Sequence, residues 1–309
     1  VRKAEQKNAE AQRRSDAENV TVHICKKTRK EQKGSKMPAY THNQSQLFYR
    51  EQGAGPLLLL LPGNTASSAC YQGELDYFSQ HYHVVAPDLR GTGHSERIAS
   101  WPDTWWEQGA HDVVALLDHL QAETCIAVGS SGGGVVALLL ALLSPQRVRA
   151  VVADSCTRIF SAPMLHSIVA GREQPPAELA MFWQYAHGDD WQQVVAADSA
   201  LLLRLAEQGG YDWARERLSQ VQCPVLLTAS LHDAEIPDIG QHVLAMAQQM
   251  PHSQVFLTNA GGHPLMWTRP TQFRCAVTCF LRSALAGQEI TAKDAEDAED
   301  TKDRAKKRD

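Results

Sequence analysis

The sequence predicts an α/β fold: a mostly parallel, doubly wound sheet with helices on both faces and a helical cap inserted between two strands. Three features of the chain lead there. Short apolar runs without in–out alternation recur, as in Pro56–Leu61 and Cys125–Val128, and a strand buried on both faces belongs to a parallel sheet. Segments with helical spacing alternate with these runs, the order of a βαβα chain. The composition, 43% hydrophobic and 21% charged over 309 residues, suits one large domain or two ordinary ones and excludes collagen-like, mucin-like or wholly disordered chains.

Each element follows in order. Gln46–Gln52 reads as a strand, and Pro56–Leu61 as a second, fully buried one. Ser68–Gln80 has helical spacing through Tyr71, Leu75 and Phe78. His83–Ala86 is a strand, and Trp105–Leu120 is a helix with Val113, Val114, Leu116, Leu117 and Leu120 on one side. Cys125–Val128, Gly133–Leu143 and Val148–Asp154 read as strand, helix and strand. Residues 157–219 read as mostly helical, without clear strands. The alternation resumes with strand Pro224–Thr228, helix Gly240–Met250, strand Val255–Leu257 and helix Pro270–Ala286. The expected organisation is a core of residues 37–156 and 220–286 interrupted by a cap of residues 157–219. Such a cap lies over the carboxyl edge of the sheet, where doubly wound folds bind ligands.

Two charged tails flank this body. Residues 1–36 carry 11 Lys+Arg against 5 Asp+Glu and almost no large apolar residues, so they cannot bury enough surface to order themselves. They are expected to be a disordered basic tail, with Met37 as the natural start. Residues 287–309 carry 6 Lys+Arg against 8 Asp+Glu and lack an apolar stripe, which implies a disordered charged tail. The body between has 13 Lys+Arg against 22 Asp+Glu. An acidic body offers no basic face for phosphates, so nucleic acid is not an expected partner. The longest apolar run, Val135–Leu143, is far short of the roughly 18 residues that span a bilayer, and the charged N-terminus has no apolar h-region. Seven cysteines at 25, 70, 125, 156, 223, 275 and 279 include no C-x-x-C and read as reduced thiols. A cytoplasmic monomer or homodimer that meets no membrane is the expectation.

The strongest chemical signal is Gly129-Ser130-Ser131-Gly132-Gly133, a G-x-S-x-G between a strand and a helix. A nucleophile in such a sharp turn points into the open. Small neighbours let backbone approach on both sides, and the helix N-terminus favours developing negative charge. Only Ser131 is flanked correctly, with Gly129 two places before it and Gly133 two places after it, whereas Ser130 has Val128 two places before it. A dinucleotide fingerprint would instead follow the first strand and lead to an acidic residue about 20 positions on.

A serine hydroxyl needs a base, and the base needs an orienting group. The elbow implies the chain order Ser, acid, His. His263, in Gly261-Gly262-His263-Pro264 after the last strand, is the expected base. Asp233, in Ser230-Leu231-His232-Asp233, is the expected acid. Asp154 at the preceding strand end could serve the same geometry, and Asp238 is a third option. Acyl transfer also needs donors aimed at an oxyanion. The backbone N–H of Gly132, beside the nucleophile, is one candidate, and that of Asn64, in Pro62-Gly63-Asn64-Thr65, is the other.

Taken together, Leu61-Pro62-Gly63-Asn64, Asp88-Leu89-Arg90-Gly91-Thr92-Gly93-His94-Ser95, the Ser131 elbow, Asp233 and Gly262-His263 resemble the α/β-hydrolase superfamily over about residues 46–285. Within it, Val221-Gln222-Cys223-Pro224 and the Trp-rich cap are similar to small esterases like valacyclovir hydrolase, and more loosely to haloperoxidase-like members. The departures are specific. Pro62 stands where many members have His. Gly132 stands where amino-ester hydrolases place an ammonium-binding Asp, so the resemblance does not imply an α-amino ester substrate. A Ser nucleophile argues against haloalkane dehalogenase and epoxide hydrolase chemistry.

The Asp88–Ser95 segment reads as a structural turn in which Asp88 and Arg90 pair locally. Trp183, Trp191 and Trp267 are candidates for an apolar substrate pocket. No Walker loop, H-E-x-x-H or Cys/His cluster calls for a nucleotide or metal, so no cofactor is expected. The expected function is hydrolysis of a small carboxylic ester, or a related acyl compound, through a Ser131–Asp233–His263 triad and an acyl-enzyme. The alternatives are the same triad used for C–C bond hydrolysis, perhydrolysis or acyl transfer, and a non-catalytic binding protein that keeps the fold.

Overall fold

The computed structural model describes residues 38–286. The expectations for residues 1–36, for Met37 and for residues 287–309 lie outside the described residues. Among the described residues there are ten strands: β1 Ala39–His42, β2 Ser45–Gln52, β3 Leu57–Leu61, β4 His83–Pro87, β5 Cys125–Ser130, β6 Val148–Asp154, β7 Ile159–Ser161, β8 Gly210–Asp212, β9 Val225–Ser230 and β10 Ser253–Thr258. Eight of them form one sheet in the order β1-β2-β4-β3-β5-β6-β9-β10. The β1–β2 and β2–β4 pairs are antiparallel, and the remaining pairs are parallel.

The pure leucine run of β3 shows why no alternation is visible in the sequence. Leu57, Leu59 and Leu61 enter one apolar cluster and Leu58 and Leu60 the other, on opposite faces of the sheet. The same split separates Val85 from Val84 and Ala86 in β4, and Ala127 from Ile126 and Val128 in β5. Two buried faces need apolar residues at every position. On the first face lie α2 (Trp105–His119), α3 (Gly132–Leu143) and α7 (Ile239–Ala247). The other face is covered by α1 (Gln72–Phe78) and by α9, a helix over residues 270–286 whose Phe273, Val277, Phe280 and Leu281 are buried. A four-residue helix, α8 Leu265–Thr268, precedes α9.

Between β6 and β9 the chain forms α4 (Ala162–Ala170), α5 (Ala177–His187) and α6 (Trp191–Glu207). This stretch was expected to lack clear strands, and the structure corrects that. β7 and β8 pair antiparallel, with Ile159 opposite Asp212 and Ser161 opposite Gly210. Three-residue strands are too short to carry a period of two, and their pairing joins segments far apart in the chain. The first strand, β1, also lacked a sequence signal. It is joined to β2 through Asn43 and Gln44, both at positive φ (47° and 66°), the geometry of a two-residue hairpin turn that usually shows itself as Asn-Gly.

A second correction concerns the Asp88–Ser95 turn. Arg90 does not pair with Asp88. Its Nε and Nη2 donate to the two carboxylate oxygens of Asp112 at 3.0 and 2.6 Å. Asp88 is buried and accepts the backbone N–H groups of Ser68 and His94, each at 2.7 Å. The turn is therefore closed by side chain to backbone bonds, and Arg90 ties it to α2 instead.

Candidate active site

The Ser131 turn is formed by close approach of three pieces of backbone. β5 ends at Ser130 and α3 starts at Gly132, leaving Ser131 at φ 53° and ψ −124°. That backbone is unfavourable for a residue with a Cβ, and such strain is held in place only by its surroundings. Here the Ser131 N–H donates to the Asp154 carbonyl at 2.8 Å. A Cβ on Gly133 would lie 2.0 Å from the Leu61 carbonyl oxygen, so only glycine lets α3 start this close to the end of β3. Ser130 and Ser131 differ sharply. Ser130 is buried, and its hydroxyl lies 2.5 Å from the Tyr71 hydroxyl. Ser131 is half-buried, at the carboxyl end of the central strand.

The loop after β3 packs on this turn. A Cβ on Gly63 would sit 3.2 Å from the Ser131 Cβ, so the Gly63–Asn64 backbone runs beside the serine. Among the hydrogen bonds of the described residues, the N–H groups of Asn64 and Gly132 take no part. Two donors thus remain uncommitted next to Ser131.

Asp233 and His263 lie on neighbouring strand ends, after β9 and β10. The Asp233 side chain is fully buried. Its Oδ1 accepts the N–H groups of Glu235 and Ile236, both at 3.0 Å, and its Oδ2 accepts from His263 Nδ1 at 2.8 Å. Three donors on one carboxylate keep it fixed and acceptor-only. Burial disfavours a charged His263, but the Asp233 carboxylate outweighs it through its charge and its hydrogen bond, and the imidazole pKa is raised to about 9. Neighbouring hydroxyls pin the loop that carries His263. Ser230 Oγ donates to the Gly261 carbonyl at 2.9 Å, and Thr268 Oγ1 accepts the Gly262 N–H at 3.0 Å.

Asp154, the alternative acid, is engaged elsewhere. It is fully buried, and its Oδ1 accepts the Thr228 hydroxyl at 2.7 Å while its Oδ2 accepts the Met266 N–H at 2.9 Å. Burial pushes its carboxyl up to about 7, partly opposed by those two donors. Ser155 Oγ accepts the Leu265 N–H at 3.1 Å. The end of β6 therefore holds the Ser131 turn through a backbone carbonyl and the start of α8, just past His263, through two side chains. Asp238, the third option, stands at φ 54° just before α7.

Among the candidate pocket residues, Trp183 is buried in α5 and stacks on Trp191 with ring centroids 5.6 Å apart. Trp267 meets Tyr71 edge-on at 5.5 Å and Phe182 at 5.6 Å. Through Tyr71 it is one residue removed from Ser130 and the turn. Among the described residues no helix is long and apolar enough to cross a membrane.

Several polar residues around the site were not singled out in the sequence. Asp198 of α6 is one. It lies in the stripe Val194, Val195, Asp198, Leu201, Leu202 and Leu205, all buried. An acid on the apolar face of an amphipathic helix is a signal that helical periodicity can reveal. Its partners Asn64 and Arg172 are visible only in the folded chain.

Comparison with known proteins agrees with this architecture. Residues 56–204 match the family model described as alpha/beta hydrolase fold. The chain is 29% identical over 246 residues to a putative carbamate hydrolase RutD of Pseudomonas syringae pv. syringae, covering 73% of this chain and 93% of that protein. It is 27% identical over 259 residues to the mouse serine hydrolase BPHL, covering 78% and 84%. A solved structure of a hydrolase from Pseudomonas aeruginosa PA01 superposes with a TM-score of 0.66 at 20% identity, over 80% of this chain and 99% of that one. With its mostly parallel eight-stranded sheet, this family match and these relatives, the chain has the α/β-hydrolase fold and is a hydrolase.

Proposed function

We propose that this hydrolase cleaves a small carboxylic ester or related acyl compound through Ser131, His263 and Asp233. The observation that carries the reading is the 2.8 Å bond from His263 Nδ1 to the buried Asp233 carboxylate, on the same sheet edge as the Ser131 turn. With Nδ1 committed to donation, neutral His263 has only Nε2 left to accept a proton. Ser131 Oγ attacks the acyl carbon as its proton passes to that nitrogen, and Asp233 stabilises the imidazolium that forms. The N–H groups of Asn64 and Gly132 receive the negative charge on the carbonyl oxygen. Collapse of the intermediate expels the alcohol, which takes the proton from His263. Water then attacks the acyl-enzyme by the same route in reverse. Trp267 forms an apolar wall beside the turn, with Trp183 and Trp191 farther along the segment between β6 and β9. Related acyl compounds include carbamates, the class that the RutD relatives are named for.

The test is a panel of p-nitrophenyl esters from acetate to octanoate, with a p-nitrophenyl carbamate beside them. Saturable turnover of at least one member, with covalent labelling of Ser131 by a fluorophosphonate, is the expected result. No turnover and no labelling would remove the reading.

The pH dependence follows from His263. Its folded-state pKa lies above the usual 6.5, and only the neutral imidazole can accept the serine proton. Activity is therefore low in acid and rises with pH. The midpoint of kcat/KM in the free enzyme is expected above 6.5, displaced toward 9. A midpoint at or below 6.5 would show that the Asp233 carboxylate does not govern the base.

A further inference from the structure

We propose that Asp198 is a positioning residue that holds the oxyanion loop by the Asn64 side chain. The segment between β6 and β9 must then be seated for the Asn64 N–H to be in place. This rests on the serine-hydrolase reading above and adds a coupling between that segment and the site.

The Asn64 carboxamide is gripped from two sides. Its Oδ1 accepts the indole N–H of Trp106 at 3.0 Å, and its Nδ2 donates to Asp198 Oδ1 at 2.7 Å. Only one orientation of the amide satisfies both neighbours, because an indole N–H can only donate and a carboxylate can only accept. Trp106 belongs to α2 and Asp198 to α6, so the loop after β3 is tied to the core and to the inserted segment at once. Asp198 is fully buried, and Arg172 holds its other oxygen at 2.6 Å while also donating to Ser199 Oγ at 3.1 Å. A buried carboxylate with a guanidinium and a carboxamide on its two oxygens is compensated in charge and in hydrogen bonds. It can therefore sit near a developing oxyanion without opposing it as a bare charge would.

The place of the carboxamide links it to the chemistry. A Cβ on Gly132 would fall 1.9 Å from Asn64 Oδ1 and 2.8 Å from Trp106 Nε1. The Asn64 side chain thus fills the space that a side chain after the nucleophile would occupy. It packs on Gly132, the other residue whose N–H faces the oxyanion in this mechanism. Loss of Asp198 frees Nδ2, lets the carboxamide turn about its side-chain bonds, and releases the 62–65 loop from the site. Such a change weakens a contact made mainly in the transition state, so it lowers kcat more than it alters KM.

The test compares Asp198→Ala, Asn64→Ala and the double variant, on the p-nitrophenyl ester that the wild type cleaves fastest. Where turnover is too slow, the rate of Ser131 labelling by a fluorophosphonate serves instead. Asn64→Ala keeps the backbone N–H and removes only the carboxamide. Each single variant is expected to lose about 10–100-fold in kcat, less than deletion of an oxyanion donor, with KM within about threefold. The double variant is expected to be no worse than the weaker single, since both cut one connection. Single variants within twofold of wild-type kcat, or losses that multiply in the double, would overturn the proposal. If Asp198→Ala does not fold, Asp198→Asn takes its place in the same comparison, since an asparagine keeps one acceptor oxygen where Arg172 and the Asn64 carboxamide use two, and the same outcomes decide. A wild type that neither turns over the panel nor is labelled would bring down the serine-hydrolase reading and this proposal together. An active wild type with unaffected variants would bring down this proposal alone.

Discussion

Ser131→Ala is expected to lower kcat by about 10⁴–10⁶-fold while leaving the melting temperature nearly unchanged. The expected size follows from the number of steps that pass through one atom. Without Oγ there is no acyl-enzyme, and what remains is binding plus any oxyanion stabilisation of direct water attack. The fold should tolerate the change because the turn is held by groups the substitution does not touch. These are the Ser131 N–H on the Asp154 carbonyl, the Ser131 carbonyl accepting the Gly134 N–H at 2.9 Å, and the Gly133–Leu61 backbone contact. Ser130→Ala provides the contrast. It removes the bond to Tyr71 and leaves a buried phenol without that partner, a cost of about 1–3 kcal/mol in stability. Its effect on kcat should be far smaller. An inactive Ser130→Ala beside an active Ser131→Ala would contradict the assignment of the nucleophile.

The fold class was legible because burial on two faces writes itself into consecutive residues. β3 is five leucines in a row, and no half-exposed strand or surface helix needs that. The boundaries that drifted are those set by pairing rather than composition. β10, for example, extends to Ser253 and Thr258 because it pairs along the whole of β9. The hairpin turn at Asn43-Gln44 and the β7–β8 pair were invisible for a related reason. Their geometry depends on tertiary contacts and not on glycine or alternation. For the site, Ser131 and His263 stood out because glycine-rich turns at strand ends are rare enough to notice. Their chain order also left a short list of acids. Asp198 did not stand out, although it breaks the apolar stripe of α6. Its meaning appears only when Asn64, 134 residues earlier in the chain, is placed against it. The Arg90–Asp112 pair likewise crosses from the turn to α2, where local spacing suggested Asp88.

The choice between the two acids makes the second large prediction. Asp233→Asn is expected to lower kcat by about 10⁴-fold with little change in KM. An asparagine can still accept the Glu235 and Ile236 N–H groups through its oxygen, so the turn keeps its shape. The atom facing His263 Nδ1 then becomes an NH₂ group, which turns Nδ1 into an acceptor and moves the ring proton to Nε2. That nitrogen can no longer take the serine proton, and no carboxylate remains to stabilise an imidazolium. The loss of that charge should also show in acid–base behaviour. With Asp233 neutral, burial acts on His263 against a much weaker opposing field, and its pKa should fall well below the wild-type value of about 9. Titration of the His263 ring by NMR reads this shift directly, even in a variant too slow to assay. Asp154→Asn should behave in the opposite way. Burial pushes its carboxyl up to about 7, and its two oxygens are committed to Thr228 and Met266, not to His263. In the variant the amide oxygen can keep the Met266 N–H and the NH₂ can donate to the Thr228 hydroxyl, two neutral bonds in place of two to a carboxylate, so the melting temperature should fall only modestly. The kcat should fall less than tenfold, and the His263 titration should move little. Measured side by side, a crippled Asp154→Asn with a nearly normal Asp233→Asn would place the acid at the end of β6 and leave the Asp233–His263 bond without its role in catalysis.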